Sequence, residues 1–332
     1  MEQTIDVIIP VYKPDQRLRD LILKLCAQRI RPRYILLINT EKELFDAHLL
    51  DGLPTAESFG MLSEKSSGKP SEKSFETSSG KPVILVEHIR KLEFDHGGTR
   101  HMAAGMLDGE LILFMTQDAV PEDTDLTEAL LASFEDPEVC AAYARQLPGK
   151  DATLAEQYTR NFNYPSQSRV KSEKDLETLG IKTFFCSNVC AMYRRSAYEE
   201  NGGFERHTIF NEDMIFAAKL IHAGKKVAYC ADARVVHSHN YSGVCQFHRN
   251  FDLGVSQAEH PEVFSGIRSE GEGIRLIKKT ASHLARKGKP WLICPLIWQS
   301  GCKYVGYLLG KNYKRLPDNL VRACSMNKAY WG

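Results

Sequence analysis

Short apolar runs alternate with amphipathic stretches along the first 120 residues. Ile5 to Pro10 is β-branched and almost wholly apolar, which is typical of a strand covered on both faces of a parallel sheet. Leucine and isoleucine then recur at helical spacing between residues 18 and 25, and Tyr34 to Asn39 forms the next apolar run. This order predicts a βαβ unit that has Ile5 to Pro10 as a central strand.

The same alternation continues to about residue 230. The pattern predicts further strands at Val83 to Glu87, Glu110 to Met115, Cys140 to Ala144, Phe184 to Tyr193 and Val227 to Cys230. It predicts helices at Thr99 to Leu107 and at Glu212 to about Ala223, the second ending at Gly224. Strands and helices in this order predict an α/β fold with a mixed sheet.

Two segments depart from this pattern. Residues 63–82 contain a near duplication with almost no apolar side chains, which predicts a mobile insertion between strands. Beyond Gly271, basic and apolar residues occur together, so this region either lies on an anionic membrane surface or packs on the main domain as a helical appendage. Its longest apolar run, Trp291 to Leu309, is interrupted by polar residues, which disfavours a membrane-spanning helix.

Composition excludes several classes of protein. The chain has 332 residues, enough for one large domain plus an appendage. Its 43 basic and 42 acidic residues give no charge bias toward nucleic acid. Nine scattered cysteines without zinc-ribbon spacing, and no secretory pattern at the N-terminus, predict a cytoplasmic protein. A glycine-rich dinucleotide or phosphate-loop motif after the first strand is missing.

Asp118 follows the apolar run Leu111 to Met115, so its carboxylate is predicted at the carboxyl end of a buried strand, where open α/β sheets bind ligands. A carboxylate there can hold a divalent cation that bridges two phosphates, or it can simply cap a turn. His237 and His239 share one face of an extended segment, and either can complete a metal site with Asp118 or serve as a structural histidine.

A zinc site that includes two cysteines is disfavoured. Cys186, Cys190 and His237 do not have the spacing of a structural zinc site.

Glu212 and Asp213 form an acidic pair at the start of a predicted helix. The helix dipole favours acidic residues in any first turn, which is a purely structural explanation. The same dipole would keep a carboxylate ionised near neutral pH, as a general base requires.

Two weaker signals involve glycine. Gly202 and Gly203 before Phe204 predict a turn that is able to approach a ligand closely, or only a turn. Arg100, near a glycine pair at a helix start, either contacts an anion or braces Asp118 or a neighbouring strand by an ion pair.

Taken in order, these motifs resemble glycosyltransferase family 2, and within it the bacterial rhamnosyltransferase-like branch, over roughly residues 4 to 255. The motifs that carry the resemblance are Ile8 to Tyr12, Asp95 to Arg100, Phe114 to Ala119, Cys186 to Asn188, Gly202 to Phe204, Asn211 to Asp213 and His237 to Asn240. The resemblance implies an inverting enzyme of the GT-A type with a Rossmann-like mixed sheet. We expect the catalytic domain at residues 1–265 and a helical C-terminal region at 266–332.

The resemblance also implies roles for particular residues. Asp213 is the expected base, with Glu212 as the alternate. The expected donor-binding residues are Pro10, Val11, Tyr12, Asn39, Arg100, Gln117 and Asp118. The expected acceptor-binding residues are Asn188, Gly203 and Phe204, and the expected metal ligands are Asp118, His237 and His239.

Two departures from the family pattern affect the substrates. Only one carboxylate stands where relatives have Asp-x-Asp, which makes a Mg²⁺ or Mn²⁺ requirement conditional. Asn39 stands near the position where many relatives use aspartates to read uracil, which leaves room for dTDP-rhamnose as donor, with a UDP-hexose as the alternative. The expected acceptor is a polysaccharide or lipid-linked glycan at the cytoplasmic membrane face.

Two alternative functions have less support from the sequence. A nucleotidyltransferase is disfavoured by the loop from Val11 to Pro14, which lacks glycine. A non-catalytic saccharide-binding relative is disfavoured by the intact acidic pair Glu212 and Asp213.

Overall fold

The computed structural model describes residues 3–55, 80–265 and 270–332. Most of the predicted insertion, residues 63–79, lies outside the described residues, as does the start of the predicted C-terminal region. The strands are β1 Ile5–Tyr12, β2 Tyr34–Thr40, β3 Val83–Ile89, β4 Leu111–Met115, β5 Val120–Pro121, β6 Val139–Leu147, β7 Arg169–Lys171, β8 Cys190–Arg194 and β9 Lys226–Val236.

Twelve α-helices are found in the described part of the chain. They are α1 Gln16–Cys26, α2 His96–Ala104, α3 Leu126–Ala132, α4 Leu154–Asn163, α5 Leu176–Leu179, α6 Arg195–Glu200, α7 Glu212–His222, α8 Gly243–Glu259, α9 Pro261–Phe264, α10 Glu270–Arg286, α11 Ile293–Lys311 and α12 Asp318–Cys324.

One nine-stranded mixed sheet forms the centre of the molecule. Its strand order is β3-β2-β1-β4-β8-β6-β9-β5, and β7 pairs with β9. Strands β1 to β4 are parallel to their neighbours in this group, whereas β8 is antiparallel to both β4 and β6. β1 and β4 are buried along almost their whole length, because helices cover both faces of the sheet and leave two separate apolar cores. The predicted α/β class with a mixed sheet is confirmed.

Several predicted elements have different bounds in the structure. Helix α2 begins at His96, three residues earlier than predicted, because the side chain of Asp95 caps the N–H of Gly98. The predicted strand Phe184 to Tyr193 begins only at Cys190, since the residues before it form a short 3₁₀ helix and a loop. Strand β9 continues six residues beyond the prediction, to Val236.

The C-terminal region packs on the main sheet domain through helix α8. Gly306 and Gly310 of α11 lie against the backbone of Phe247 and Phe251, and a Cβ atom at either glycine would clash with those carbonyl oxygens. Small residues four apart therefore allow α11 and α8 to approach closely. The helical C-terminal region expected from the sequence is present, and it packs on α8. None of the helices in the described ranges is long and apolar enough to cross a membrane.

Candidate active site

Asp118 and two histidines form a compact cluster beside the end of β4. Asp118 Oδ2 lies 3.1 Å from His239 Nε2, and Asp118 Oδ1 lies 3.6 Å from His237 Nε2. The two histidine Nε2 atoms are 3.1 Å apart, and possible ligand atoms of all three residues lie within 4.8 Å of one another. The structure thus brings together the three residues that the sequence suggested as metal ligands.

Strand pairing explains why residues so far apart in sequence meet here. Val120 of β5 is paired with Val236 at the end of β9 in an antiparallel ladder. Asp118 comes two residues before Val120, and His237 comes directly after Val236. Antiparallel pairing therefore places the approach to one strand beside the exit from the other.

Gln146 fixes the orientation of His237. The Oε1 atom of Gln146, on β6, lies 3.1 Å from His237 Nδ1. A carboxamide oxygen only accepts hydrogen bonds, so Nδ1 carries the proton and the Nε2 lone pair points toward Asp118 and His239. This is the arrangement that a metal-binding histidine requires. Tyr241 stacks on His239 at 4.8 Å between ring centroids and supports the second imidazole.

The ionisation of this cluster favours a cation. Burial lowers the pKa of His237 to about 3, so its imidazole is neutral at physiological pH. Burial would raise the pKa of Asp118, but the hydrogen bond from His239 and the charges of both histidines lower it well below its ordinary value. The cluster therefore combines one carboxylate with neutral imidazole, and these donors fit a divalent transition metal better than they fit Mg²⁺, which prefers oxygen ligands.

The second acidic motif lies at the start of α7. The Oδ2 atom of Asp213 accepts the backbone N–H of Asn188 at 2.9 Å, and its Oδ1 accepts the backbone N–H of Met214 at 2.8 Å. Glu212 is buried and pairs with Arg100 at 3.2 Å. The side-chain amide of Asn188 also donates to Glu212 at 3.2 Å, so one asparagine holds both carboxylates.

The two carboxylates of this pair have opposite pKa shifts. Burial and the charge of Glu212 raise the pKa of Asp213 to about 7. Burial would also raise the pKa of Glu212, but Arg100 and His96 outweigh it and lower that pKa. The expectation that the helix start would keep Asp213 fully ionised at neutral pH needs correction, because burial and a like charge prevail over the dipole. A carboxylate with a pKa near 7 is well matched to general-base chemistry.

The loop after β1 is tied to the loop after β4 through Gln117. The Gln117 side chain accepts the backbone N–H of Tyr12 at 2.8 Å and donates to the carbonyl of Tyr12 at 3.0 Å. The Tyr12 side chain is exposed and Pro10 is half-buried, whereas Val11 is buried in the core below. Pro10 and Tyr12 thus remain available to a donor, and the side chain of Val11 does not.

Asn39 lies at the end of β2 and is fully buried. Its Nδ2 donates to the carbonyl of Glu41 at 3.1 Å and lies 2.9 Å from His88 Nδ1. Its Oδ1 has no hydrogen-bond partner among the described residues. A buried carbonyl oxygen that lacks a partner is costly. The side chain of Asn39 is 0% exposed, so a ligand does not reach this oxygen in the structure.

Several residues that the sequence predicted to bind a substrate have structural contacts instead. Arg100 is buried against Glu212, so the interpretation that it braces Asp118 is wrong. Phe204 lies in an aromatic cluster of the core, where its side chain is 1% exposed and out of reach of an acceptor. Gly203 adopts φ +64°, and a Cβ atom there would clash with His101, which explains the glycine.

Cys186 and Cys190 do not contribute to a metal site. Both are buried, and burial raises the pKa of both thiols, that of Cys186 to about 12. Cys186 lies 3.4 Å from the hydroxyl of Tyr193, and neither cysteine belongs to the cluster around Asp118. The zinc alternative that includes them is therefore wrong.

Three residues of this region were not identified from the sequence. They are Gln146, Tyr241 and Arg249, the last on a helix that the pattern did not predict. Gln146 lies next to the end of a strand that is apolar up to Ala144, and a polar residue near a strand end is the one signal that could have indicated it. Tyr241 and Arg249 have no comparable signal, because their roles depend on contacts made only in the folded chain.

The molecule has a mixed α/β sheet with a cluster of one carboxylate and two imidazoles beside the end of β4, and an acidic pair at the start of a helix. These features are typical of a glycosyltransferase of the GT-A type. The family model described as "Glycosyl transferase family 2" matches residues 6–202, and the chain belongs to this family. Family membership and glycosyltransferase activity, both predicted from the resemblance, are confirmed.

Two curated relatives match most of the chain. This chain is 47% identical over 252 residues to the O-antigen chain rhamnosyltransferase RfbN of Salmonella typhimurium. The alignment covers 75% of this chain and 79% of that protein. This chain is also 44% identical over 247 residues to the O-antigen chain rhamnosyltransferase WbaN of Salmonella anatum, and the alignment covers 73% of this chain and 78% of that protein.

A solved structure supports the fold. The mannosyltransferase PcManGT from Pyrobaculum calidifontis, in complex with GDP-Man and Mn²⁺, superimposes with a TM-score of 0.52 at 16% identity, covering 100% of this chain and 85% of that one. The GT-A fold expected from the resemblance is thereby confirmed.

Proposed function

We propose that this enzyme transfers L-rhamnose from dTDP-L-rhamnose to a growing O-antigen glycan or its lipid-linked precursor. The observation that carries the proposal is the 47% identity to an O-antigen chain rhamnosyltransferase over three quarters of the chain. The identity of the sugar donor and of its nucleotide base is part of this proposal. Asn39 stands near the position where many members of the family use aspartates to read uracil, and this difference supports a thymidine nucleotide as donor.

In the proposed reaction, Asp213 removes the proton from the attacking hydroxyl of the acceptor. The hydroxyl oxygen then forms a bond to the anomeric carbon, and the bond from that carbon to the diphosphate breaks, with inversion. Asn188 and the backbone of Met214 hold the Asp213 carboxylate in position through two hydrogen bonds. Glu212 keeps its charge through Arg100 and raises the proton affinity of Asp213.

We further propose that Asp118, His237 and His239 hold Mn²⁺ in preference to Mg²⁺. Two imidazole nitrogens and one carboxylate oxygen form a mixed donor set, and Gln146 already orients His237 as a ligand. When bound, the cation supplies positive charge to the diphosphate of the donor.

A donor screen tests the substrate. Binding and release of nucleoside diphosphate are measured for dTDP-, UDP- and GDP-sugars with Mn²⁺, with Mg²⁺ and with a chelator. We expect dTDP-rhamnose with Mn²⁺ to give the tightest binding and the fastest release. A preference for a UDP-hexose would contradict the rhamnose donor but not the enzyme class. No release from any donor, with any acceptor tried, would favour the non-catalytic alternative.

A membrane-facing surface is also proposed, on the exposed side of α11. Its exposed apolar side chains, together with one from the preceding turn, are Trp291, Ile297, Trp298, Tyr304, Val305 and Leu308. Residues 273–332 contain 12 lysines and arginines and one acidic residue, Asp318. Exposed aromatic and aliphatic side chains among basic residues match an anionic lipid surface, where a lipid-linked acceptor would reside.

Vesicle sedimentation tests this surface. Wild-type protein should pellet with vesicles that contain about a third anionic lipid and much less with neutral vesicles. The double variant Trp291→Glu and Ile297→Glu should stay in the supernatant. Leu92→Glu is the matched control, because Leu92 is a solvent-exposed apolar residue outside this surface. Equal pelleting of the double variant and the control would contradict the proposal.

A further inference from the structure

The loop at residues 205–211, which we call the base loop, leads directly into the start of α7, where Glu212 and Asp213 lie. Two of its residues have a left-handed backbone, His207 at φ +59° and Asn211 at φ +65°. Residues other than glycine rarely adopt this conformation, because the Cβ atom then crowds the backbone. The base loop therefore needs contacts from elsewhere in the molecule to keep its shape.

Hydrogen bonds to the sheet domain and to α8 hold the second half of the base loop. Asp95 Oδ2 accepts the backbone N–H of Thr208 at 2.7 Å. On α8, Ser256 Oγ donates to the carbonyl of Phe210 at 2.6 Å and lies 3.1 Å from the side-chain amide of Asn211, which donates to it. These bonds fix the loop beyond His207, and the ring of His207 takes no part in them.

His207 is held by the C-terminal turn, the 3₁₀ helix Lys328–Trp331. The imidazole of His207 stacks on the ring of Tyr330, with 4.4 Å between the ring centroids and 13° between the planes. The hydroxyl of Tyr330 donates to Glu259 Oε2 on α8 at 3.0 Å and lies 3.5 Å from the carbonyl oxygen of His207. Tyr330 therefore connects a strained residue of the base loop to α8.

The C-terminal turn is itself anchored on α8. The buried Asp252 accepts the backbone N–H groups of Met326 and Asn327 on its Oδ2 atom, at 3.0 and 3.1 Å. Tyr330 packs beside a buried apolar cluster that contains Ile209 of the base loop together with residues of α8 and α12. The base loop and the C-terminal turn thus share one small core, although 123 positions separate His207 from Tyr330.

The position of the base loop matters for catalysis because a general base must lie within hydrogen-bond reach of the hydroxyl that it deprotonates. The base loop determines where α7 begins, and Asp213 lies in the first turn of that helix. We propose that Tyr330 is a positioning residue for the base. It holds the base loop through His207 and so fixes the place of the Asp213 carboxylate. This assignment rests on the proposed role of Asp213 but not on the identity of the donor.

The competing explanation is that Tyr330 only stabilises the C-terminal region. Tyr330→Ala removes the stacked ring, whereas Tyr330→Phe keeps the ring and removes only the hydroxyl. His207→Asn breaks the same stack from the side of the base loop, and asparagine tolerates a positive φ.

Tyr313→Ala is the matched control for these variants. Tyr313 packs against the same apolar cluster as Tyr330, and its hydroxyl donates to the other oxygen of the same carboxylate, Glu259 Oε1, at 3.0 Å. Within the described residues, Tyr313 makes no hydrogen bond and no aromatic ring contact to the base loop. Its loss therefore reports on the packing of the C-terminal region alone.

Hydrogen–deuterium exchange measures the base loop directly and does not depend on activity. We expect amide exchange of residues 205–211 to be faster than in the wild type in Tyr330→Ala and in His207→Asn, because the stack no longer holds the loop. Exchange should stay at the wild-type level in Tyr330→Phe and in Tyr313→Ala.

Turnover is measured as release of nucleoside diphosphate from the donor that the wild type uses fastest, and binding of that nucleoside diphosphate is measured by calorimetry. We expect kcat to fall by about 10- to 100-fold in Tyr330→Ala and in His207→Asn, as displacement of a catalytic group predicts, with the affinity for nucleoside diphosphate changed by less than about twofold. Tyr330→Phe should restore most of the lost kcat, and Tyr313→Ala should keep it.

Several results would overturn the proposal. These are unchanged exchange of the base loop in both Tyr330→Ala and His207→Asn, faster exchange with wild-type kcat, and an equal fall of kcat in Tyr313→Ala, which would assign Tyr330 a general packing role. If Tyr330→Ala does not fold, His207→Asn decides the test. A wild type that releases no nucleoside diphosphate from any donor would contradict the proposed function, and the exchange measurement would then decide whether Tyr330 holds the base loop.

Discussion

Asp118 and Asp213 are both largely buried aspartates, yet their ionisation differs. Asp118 follows a strand and has two histidines beside it, which lower its pKa below the ordinary range in spite of burial. Asp213 begins a helix beside Glu212, and burial together with that charge raises its pKa to about 7. The same side chain is thus a permanent anion in one cluster and a proton acceptor near neutrality in the other.

The charged groups beside each aspartate, more than its position in a strand or helix, therefore determine whether it is ionised at neutral pH. A helix start alone would favour the ionised form of Asp213. In the folded chain, Glu212 keeps its own charge because Arg100 and His96 stabilise it, and the pair's proton is therefore held by Asp213. A permanent anion is suited to holding a cation, and a group with a pKa near 7 is suited to moving a proton.

Asp213→Asn should have the largest effect on activity. The amide cannot accept the hydroxyl proton, so we expect kcat to fall by about 10³-fold, within the range for a general base. The variant should remain folded, since Asn can keep the hydrogen bond from Asn188. Steady-state release of nucleoside diphosphate measures the effect. Retained activity with normal folding would exclude Asp213 as the base.

A stability measurement is the control for this variant. Because the folded-state pKa of Asp213 is raised from 3.8 to about 7, its contribution to stability is present below about pH 4 and is lost as the pH rises through 7. At pH 8 the wild type holds a buried charge that the asparagine lacks. The melting temperature of Asp213→Asn at pH 8 should therefore equal or exceed that of the wild type.

Asp118→Asn should act on the cation instead of the proton. Removing the carboxylate from the cluster with His237 and His239 should lower Mn²⁺ affinity by about 10²-fold, measured by titration of the free Mn²⁺ electron paramagnetic resonance signal. Asp123→Asn is the matched control, because Asp123 lies just beyond β5 and pairs with Arg234. Unchanged Mn²⁺ affinity in Asp118→Asn would contradict the assignment of the metal site.

The sequence predicted the central strands well, because residues such as those of β1 and β4 are buried on both faces and read as continuous apolar runs. It failed for Phe184 to Tyr193, where apolar side chains are buried by a 3₁₀ helix and a loop as well as by a strand. It also cut β9 short, since Asp232 and Arg234 interrupt the apolar run at positions that point outward.

The candidate site was predicted in part. Asp118, His237, His239, Glu212 and Asp213 follow from strand ends and a helix start. Other contacts join residues far apart in sequence, such as Gln146 and His237, which are separated by 91 positions. The family resemblance places Val11 and Phe204 in binding motifs, but a motif does not tell whether an apolar residue in it faces the site or the core, and both side chains are buried in the core.

Gln146→Met should have a smaller effect than loss of Asp118. It removes the acceptor that fixes the proton on His237 Nδ1 but leaves all three ligands in place. We expect Mn²⁺ affinity to fall by about 10-fold, as is typical when a residue that orients a metal ligand is lost. The same titration measures it, with Gln157→Met on α4 as the control. A loss as large as that of Asp118→Asn would indicate that Gln146 does more than orient His237.

Glu212→Gln should produce the smallest change, a shift in pH dependence that directly tests the comparison between the two aspartates. Because the Glu212 charge raises the pKa of Asp213, its removal should lower that pKa, and Arg100, left without its partner, acts in the same direction. Since the ionised form of Asp213 is the base, kcat should rise with pH through a value near 7 in the wild type and through a lower pH in Glu212→Gln. The pH profile of kcat under saturating donor measures this shift, and Glu205→Gln, whose carboxylate pairs with Lys219, should leave the profile unchanged. Loss of activity at every pH in Glu212→Gln would mean that Glu212 itself, and not Asp213, accepts the proton, and a shift toward higher pH would contradict the role given to the Glu212 charge.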